Sequence, residues 1–191
     1  MEKEIVNVYD FDNTIYRGDS TSDFYKYCLR HYTFSMILRM PAQIFFAILF
    51  GLRIISKTSF KEKLYHFLRG IPDVDAALND FWNTHKQNIK SWYLDQMKET
   101  DIISSASPVF VVERVTDELG LRLIASKVDP HTGVYTGLNN HGEEKVTRLN
   151  DEYPDVIVDE FYSDSFSDTP MARIAKSAYF VRGDEISPWP N

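Results

Sequence analysis

Apolar residues are arranged along this chain in two ways. Short runs at 5–9, 102–105, 121–125, 156–162 and 178–181 are bounded by polar residues, which predicts short buried strands. Helical periods lie between them. In 107–119, Val111, Val112, Val115 and Leu119 share one face and Gly120 closes the helix; Ser107 suits its cap and Pro108 its first position. Residues 142–149 predict another helix, and Thr169-Pro170 opens the next. Strands alternating with helices imply a parallel sheet with right-handed crossovers. The segment 128–138, with Asp129-Pro130 and Thr132-Gly133, reads as a small hairpin or loop, and the tail 187–191 as loose.

The stretch 17–98 lacks a clear strand and predicts four helical segments. They are 19–31, capped by Ser20 or Thr21; an apolar segment at 34–55; 59–68, stopped by Gly70-Ile71-Pro72; and a long one from about 73 to 97 through Phe81, Trp82, Ile89, Trp92 and Tyr93. The fold class is α/β with an inserted helical cap: 1–16 and 99–191 form the core and 17–98 the cap.

Charge sharpens the picture of that insertion. The chain of 191 residues has a formal charge of −7, yet 24–70 holds eight basic residues (Lys26, Arg30, Arg39, Arg53, Lys57, Lys61, Lys63 and Arg69) against Glu62 alone. That local +7 leaves −14 for the rest, a split that suits a surface meeting anions. The most apolar stretch lies in the same segment. Only the 13 residues between Arg39 and Arg53 are uncharged, and Pro41 and Gly51 interrupt them, so a span of roughly 20 apolar residues is excluded. Three readings of 34–55 stand: packed cap core, peripheral membrane contact, or dimer interface. The single Cys28 excludes an internal disulfide, and residues 1–8 do not form a secretory signal, which points to a cytoplasmic protein. The five histidines show no metal-ligand spacing. The basic residues sit among apolar ones and not on a polar groove, so nucleic acid is not an expected partner.

The chemistry lies in two acidic clusters at expected strand ends, Asp10-Phe11-Asp12-Asn13-Thr14 and Asp164-Ser165-Phe166-Ser167-Asp168. The carboxyl ends of the strands form the ligand crevice of an open α/β sheet. Carboxylates gathered there repel one another, and a hard cation such as Mg²⁺ relieves the repulsion. A metal beside a free carboxylate nucleophile suits phosphoryl transfer through an aspartyl-phosphate. Ser105, ending its strand beside a helix N-terminus, suits phosphate binding, and Lys145 can neutralise nucleophile and phosphate together.

In this order the motifs resemble those of the haloacid dehalogenase superfamily of phosphatases. The DxDxT loop is Asp10, Asp12 and Thr14, the strand-end serine Ser105, the lysine Lys145, and the closing acidic pair Asp164 and Asp168. The resemblance covers nearly the whole chain. It implies a Rossmann-like parallel sheet with helices on both faces, and the subclass whose cap follows the first motif. Arg30-His31, the apolar cap with Pro41, 123–126, 141–146 and 162–165 are similar to the phosphatidylglycerophosphatases of the C type; the motif order and cap position are shared with phosphoserine phosphatases. Ser163 replaces a usual glycine, and Asp19 stands where those phosphoserine enzymes carry a glutamate for the substrate ammonium.

The resemblance implies a phosphomonoester substrate, small or lipid-linked. Asp10 is the nucleophile and Asp12 the acid and base. Ser105 and Lys145 hold phosphate, Mg²⁺ lies at Asp10, Asp12 (through its carbonyl) and Asp164, Thr14 orders the loop, and Asp168 supports from behind. A phosphomutase would keep the same motifs. A silent lipid- or protein-binding module would not need Asp10, Asp12, Lys145 and Asp164, and a dehalogenase would need neither Asp12 nor the metal.

Overall fold

The computed structural model describes residues 3–190, the side chain of Lys57 excepted; Asn191 at the end of the expected loose tail lies outside the described residues. Among them, six strands form one sheet in the order β3-β2-β1-β4-β5-β6. They are β1 (Glu4–Tyr9), β2 (Ile102–Pro108), β3 (Arg122–Ser126), β4 (Val156–Ser163), β5 (Ser177–Arg182) and β6 (Glu185–Pro188). The first five run parallel, with Val8 opposite Ile102 on one side and Phe161 on the other. Near-continuous burial along β1, from Val6 to Tyr9, is what a central parallel strand covered on both faces requires. The chain turns opposite ways from β1, to β2 on one side and β4 on the other, and that divergence opens a crevice beyond their carboxyl ends.

The helices of the sheet are α7 (Val109–Glu118), α8 (Glu143–Glu152) and α9 (Thr169–Ile174). Between β1 and β2 the chain forms α1 (Ser20–His31), α2 (Thr33–Ile37), α3 (Met40–Gly51), α4 (Lys57–Tyr65), α5 (Val74–His85) and α6 (Ser91–Leu94), with 3-10 turns at His66–Gly70 and Lys86–Asn88. This insertion is bound to the sheet layer by aromatic packing: Phe11, Tyr16, Phe24, Phe81 and Trp82 are buried together, and Trp82 Nε1 donates to the Val111 carbonyl of α7 at 2.7 Å.

Several sequence expectations are corrected. Asp19, not Ser20 or Thr21, caps α1, its carboxylate accepting from the Ser22 amide at 2.7 Å. The helix after β2 begins at Val109 with Pro108 at its cap position, and Ser107 still belongs to the strand. The segment 73–97 is broken at His85, because Ile89 leaves the helix to bridge Tyr16. The tail is not loose through Pro188: β6 pairs antiparallel with β5, Ser187 opposite Phe180.

Residues 34–55 do not form a packed core of their own; Met36 is buried in the main core, but most of the apolar side chains face outward. Phe34 is 80% exposed, and Ile37, Leu38, Ile44, Phe45, Ile48, Leu52 and Ile54 are also exposed. In α3 the buried residue is polar: Gln43 accepts from Tyr25 Oη at 2.6 Å and donates to the Leu64 carbonyl at 3.2 Å, while isoleucines and phenylalanines point outward. No helix among the described residues is long and apolar enough to cross a membrane.

One close contact joins insertion and core. Gly133 (φ +74) lies under Tyr65 of α4, where an added Cβ would come 2.5 Å from the Tyr65 Cβ. Beside it the Tyr135 amide donates to Glu62 of α4 at 3.2 Å.

Candidate active site

Asp10 follows β1 directly, its amide bonded to the Tyr162 carbonyl of β4 at 2.9 Å. The chain then reverses tightly: the Ile15 and Tyr16 amides both return to the Phe11 carbonyl, and Asn13 adopts a left-handed φ of +58°, a conformation that Asn tolerates better than most residues. The turn brings Thr14 Oγ1 to 3.2 Å from Asp10 Oδ2, and the same hydroxyl accepts from the Asp164 amide at 3.0 Å. Thr14 therefore ties the two acidic loops together.

Lys145 enters from the first turn of α8 and is 1% exposed. Its Nζ lies 2.6 Å from Asp10 Oδ1 and 2.8 Å from Asp168 Oδ2. Asp168 is held in turn by the Ser163 hydroxyl at 2.8 Å, the serine that stands in place of glycine. Burial alone would pull the ammonium of Lys145 toward neutrality; the two carboxylates outweigh it and hold the group charged. Two carboxylates against one ammonium leave one negative charge in surplus. Burial, opposed by Lys145 and reinforced by Asp168, raises the Asp10 carboxyl above its ordinary range. Burial and the charge of Asp10 likewise push Asp164 up to about 6.

Asp12 sits in its own cradle. The Ser20 amide donates to it at 2.6 Å and the Ser107 hydroxyl at 2.5 Å, and Thr21 Oγ1 lies 3.0 Å from that hydroxyl. Burial first, then the charge of Asp19, push the Asp12 carboxyl up to about 7, against the hydrogen bonds that favour its charged form. A carboxyl with this affinity exchanges protons readily near neutral pH, as general acid and base work requires.

These groups line a cavity of about 260 Å³ with Asn13, Asp19, Lys61, Ala106, His141, Ser165 and Ser167. The structure brings Asp10, Asp12, Lys145, Asp164 and Asp168 to it, with Thr14 behind. Ser105 is fully buried one step back, its Oγ accepting from the Ser107 amide at 3.0 Å, so Ala106 and Ser107 form the wall at this strand end. Three contributors went unread in the sequence. Lys61 of α4 reaches the Ala106 carbonyl at 3.4 Å. Ser107 has the sequence signature of a helix cap, yet its hydroxyl donates to Asp12. Asn140 is fully buried and donates to the Ser105 and Ile124 carbonyls at 3.0 and 3.1 Å, bracing the loop after β2.

The family model of haloacid dehalogenase-like hydrolases matches residues 8–173, and the chain belongs to that family. Among solved structures, a protein with unknown function from Bordetella pertussis Tohama I is similar over 92% of this chain and 89% of its own, at 18% identity and a TM-score of 0.75. A phosphoserine phosphohydrolase-like protein from Francisella tularensis subsp. tularensis SCHU S4 gives 14% identity and 0.52 over 92% and 85%. A probable phosphoserine phosphatase from Vibrio cholerae gives 13% and 0.55 over 92% and 55%. A comparison with curated proteins gives no match. The shared fold is the Rossmann-like α/β fold that the motif order implies.

Proposed function

We propose that the protein is a Mg²⁺-dependent phosphomonoester hydrolase acting through an aspartyl-phosphate on Asp10. The observation that carries this reading is the buried Lys145 ammonium bridging Asp10 and Asp168, with Asp12 cradled separately on the same cavity. Asp10 attacks phosphorus, the bond from phosphorus to the leaving oxygen breaks, and Asp12 gives that oxygen its proton. Asp12 then takes a proton from water as the water attacks the acyl phosphate, releasing inorganic phosphate and restoring the Asp10 carboxylate and the protonated Asp12. Lys145 keeps Asp10 oriented and meets the charge brought by phosphate. Ala106, Ser107 and Lys61 stand on the cavity wall that would face the phosphate oxygens. Residues 17–98 act as the cap that selects the leaving group.

The donor set fits a hard cation. The surplus negative charge, the raised Asp164 carboxyl and the unpartnered buried Asp168 Oδ1 all mark a site short of positive charge. Among the described residues no three acidic, histidine or cysteine side chains form a ready metal cluster. The expected ligands are accordingly two carboxylates, Asp10 and Asp164, completed by the Asp12 carbonyl and oxygens from water and phosphate. When bound, Mg²⁺ supplies charge screening between nucleophile and phosphate. Phosphate release from p-nitrophenyl phosphate should require Mg²⁺ and stop in excess chelator. Asp164→Asn should raise the Mg²⁺ concentration for half-maximal rate by about 10–100-fold. Full activity in chelator overturns the metal reading, and no release from any phosphomonoester overturns the function.

The outward apolar face of α2 and α3 favours a lipid-linked substrate over a small soluble one. Phe50 stacks on Phe60 of α4 at 4.8 Å and Lys63 of α4 lies over Phe46, so the apolar hairpin is one helix away from Lys61 on the cavity wall. Arg30, Arg39, Arg53 and Lys63 flank it, each worth about 1 kcal/mol beside an anionic surface. The protein should float with vesicles rich in anionic phospholipid at low salt and be partly released at high salt. Phe45→Glu with Ile48→Glu should abolish flotation while sparing hydrolysis of p-nitrophenyl phosphate. Failure of the unmodified protein to float moves the substrate to soluble phosphomonoesters.

A further inference from the structure

The family match ends at residue 173, yet the hairpin of β5 and β6 beyond it reaches both acidic loops. Lys90 is 3% exposed and donates to the carbonyls of Asn13 and Gly183, at 2.5 Å each. Gly183 forms the β5–β6 turn with φ +62. Its neighbour Asp184 accepts from Arg17 through both carboxylate oxygens at 3.0 Å. The segment that carries Lys90 is laced to the exit of the nucleophile loop, with Arg17 N to the Asn88 carbonyl and Lys90 N to the Ile15 carbonyl, both 2.8 Å. On the other side of the hairpin Phe166, in the second acidic loop, stacks on Phe180 at 4.6 Å and meets Trp189 edge-on at 6.0 Å.

A buried ammonium whose hydrogen bonds go to carbonyls is a costly way to fill space, because its desolvation is offset only by those dipoles and by the more distant charges of Asp184 and Asp164. A hydrophobic residue of similar length would pack at less cost, but it could not grip the Asn13 carbonyl. That carbonyl belongs to the left-handed residue of the turn, between Asp12 and the Thr14 hydroxyl that orients Asp10. Rotation of the Asn13–Thr14 peptide would move both the acid and the orienting hydroxyl.

We propose that Lys90 is a positioning residue, which locks the nucleophile loop to the C-terminal hairpin and thereby holds Asp10 and Asp12 in their working geometry. Its kinetic consequence rests on the phosphatase reading; its effect on loop order does not. The test compares Lys90→Met and Lys90→Arg with the unmodified protein, by steady-state hydrolysis of p-nitrophenyl phosphate and by amide hydrogen exchange. In Lys90→Met, kcat should fall about 30-fold with KM within about threefold, the signature of lost positioning. The amides of Asn13, Ile15 and Tyr16 should exchange at least about tenfold faster while those of Ile103 and Ile124 stay unchanged. Lys90→Arg, which can still donate to both carbonyls, should recover most of the loop protection and rate. Unchanged loop exchange, or uniform acceleration through the core strands, overturns the proposal, as does a rise in KM at constant kcat. If the unmodified protein hydrolyses no phosphomonoester, the proposed function falls and the exchange data alone decide the role of Lys90.

Discussion

Asp10→Asn is expected to lower kcat for phosphate release by at least about 10⁴-fold while leaving the fold intact. The amide keeps the shape of the side chain and can still accept a bond from Lys145, but its oxygen is too weak a nucleophile to displace an alkoxide from phosphorus. The fold should tolerate the change because Lys145 retains Asp168 at 2.8 Å. Loss of the charge on Asp10 also removes the surplus negative charge of the cluster, so the midpoint of thermal unfolding should not drop. The readout is single-turnover phosphate release beside a thermal melt. Release at the unmodified rate would remove Asp10 from the chemistry.

Lys145→Met should have the second-largest effect, on rate and stability together. It leaves Asp10 and Asp168 facing each other in a buried site with one hydroxyl each, from Thr14 and Ser163. Removing one partner of a buried ionic cluster typically costs about 3–5 kcal/mol. Loss of the ammonium that meets the phosphate should cut kcat/KM by about 10³-fold. The stability loss has a defined pH dependence. A carboxyl whose folded pKa is raised binds more protons in the folded state, so stability declines as pH climbs from its unfolded value of about 3.9 toward the folded one. Without Lys145 to oppose burial, the Asp10 carboxyl moves further in that direction. The difference in melting temperature from the unmodified protein should therefore be smaller at pH 5 than at pH 8. A difference that widens on acidification would show that the cluster is not held as described.

The acidic loops were legible because their chemistry is carried by residue type at fixed spacing next to strands that need nothing but apolar runs to form. Parallel strands buried on both faces leave a plain trace, and β1, β2 and β4 are near where the sequence puts them. The insertion was less legible. Phe81, Trp82, Ile89, Trp92 and Tyr93 keep an apolar rhythm across the break after His85, because Ile89 and Tyr93 are buried by other elements once the helix has ended. Ser107 followed by proline carries the same local signal whether its hydroxyl caps a helix or donates to Asp12, and only the approach of Asp12 from 95 residues away decides. Lys90 is an isolated lysine in a polar stretch, and its partners lie 77 and 93 positions distant. Strand β6 was hidden by Glu185, Pro188 and full exposure, the composition of a strand that closes a sheet edge. In 34–55 composition left core, membrane contact and dimer interface open, and the burial of Gln43 beneath exposed phenylalanines turns most of the apolar side chains outward.

The contact between Gly133 and Tyr65 sets a limit that no residue of the cavity reveals. Tyr65 ends the helix that bears Lys61, so the height of that helix above the strand ends is fixed where two backbones meet without room for a methyl group. Gly133 works as a zero-thickness spacer. Any side chain there would be a shim that forces the backbone of Tyr65 or of residue 133 to give way, with no change in a single residue that lines the cavity. On the proposed function, the room for the leaving group would depend on a residue outside the lining, and a search for specificity confined to the lining would miss it.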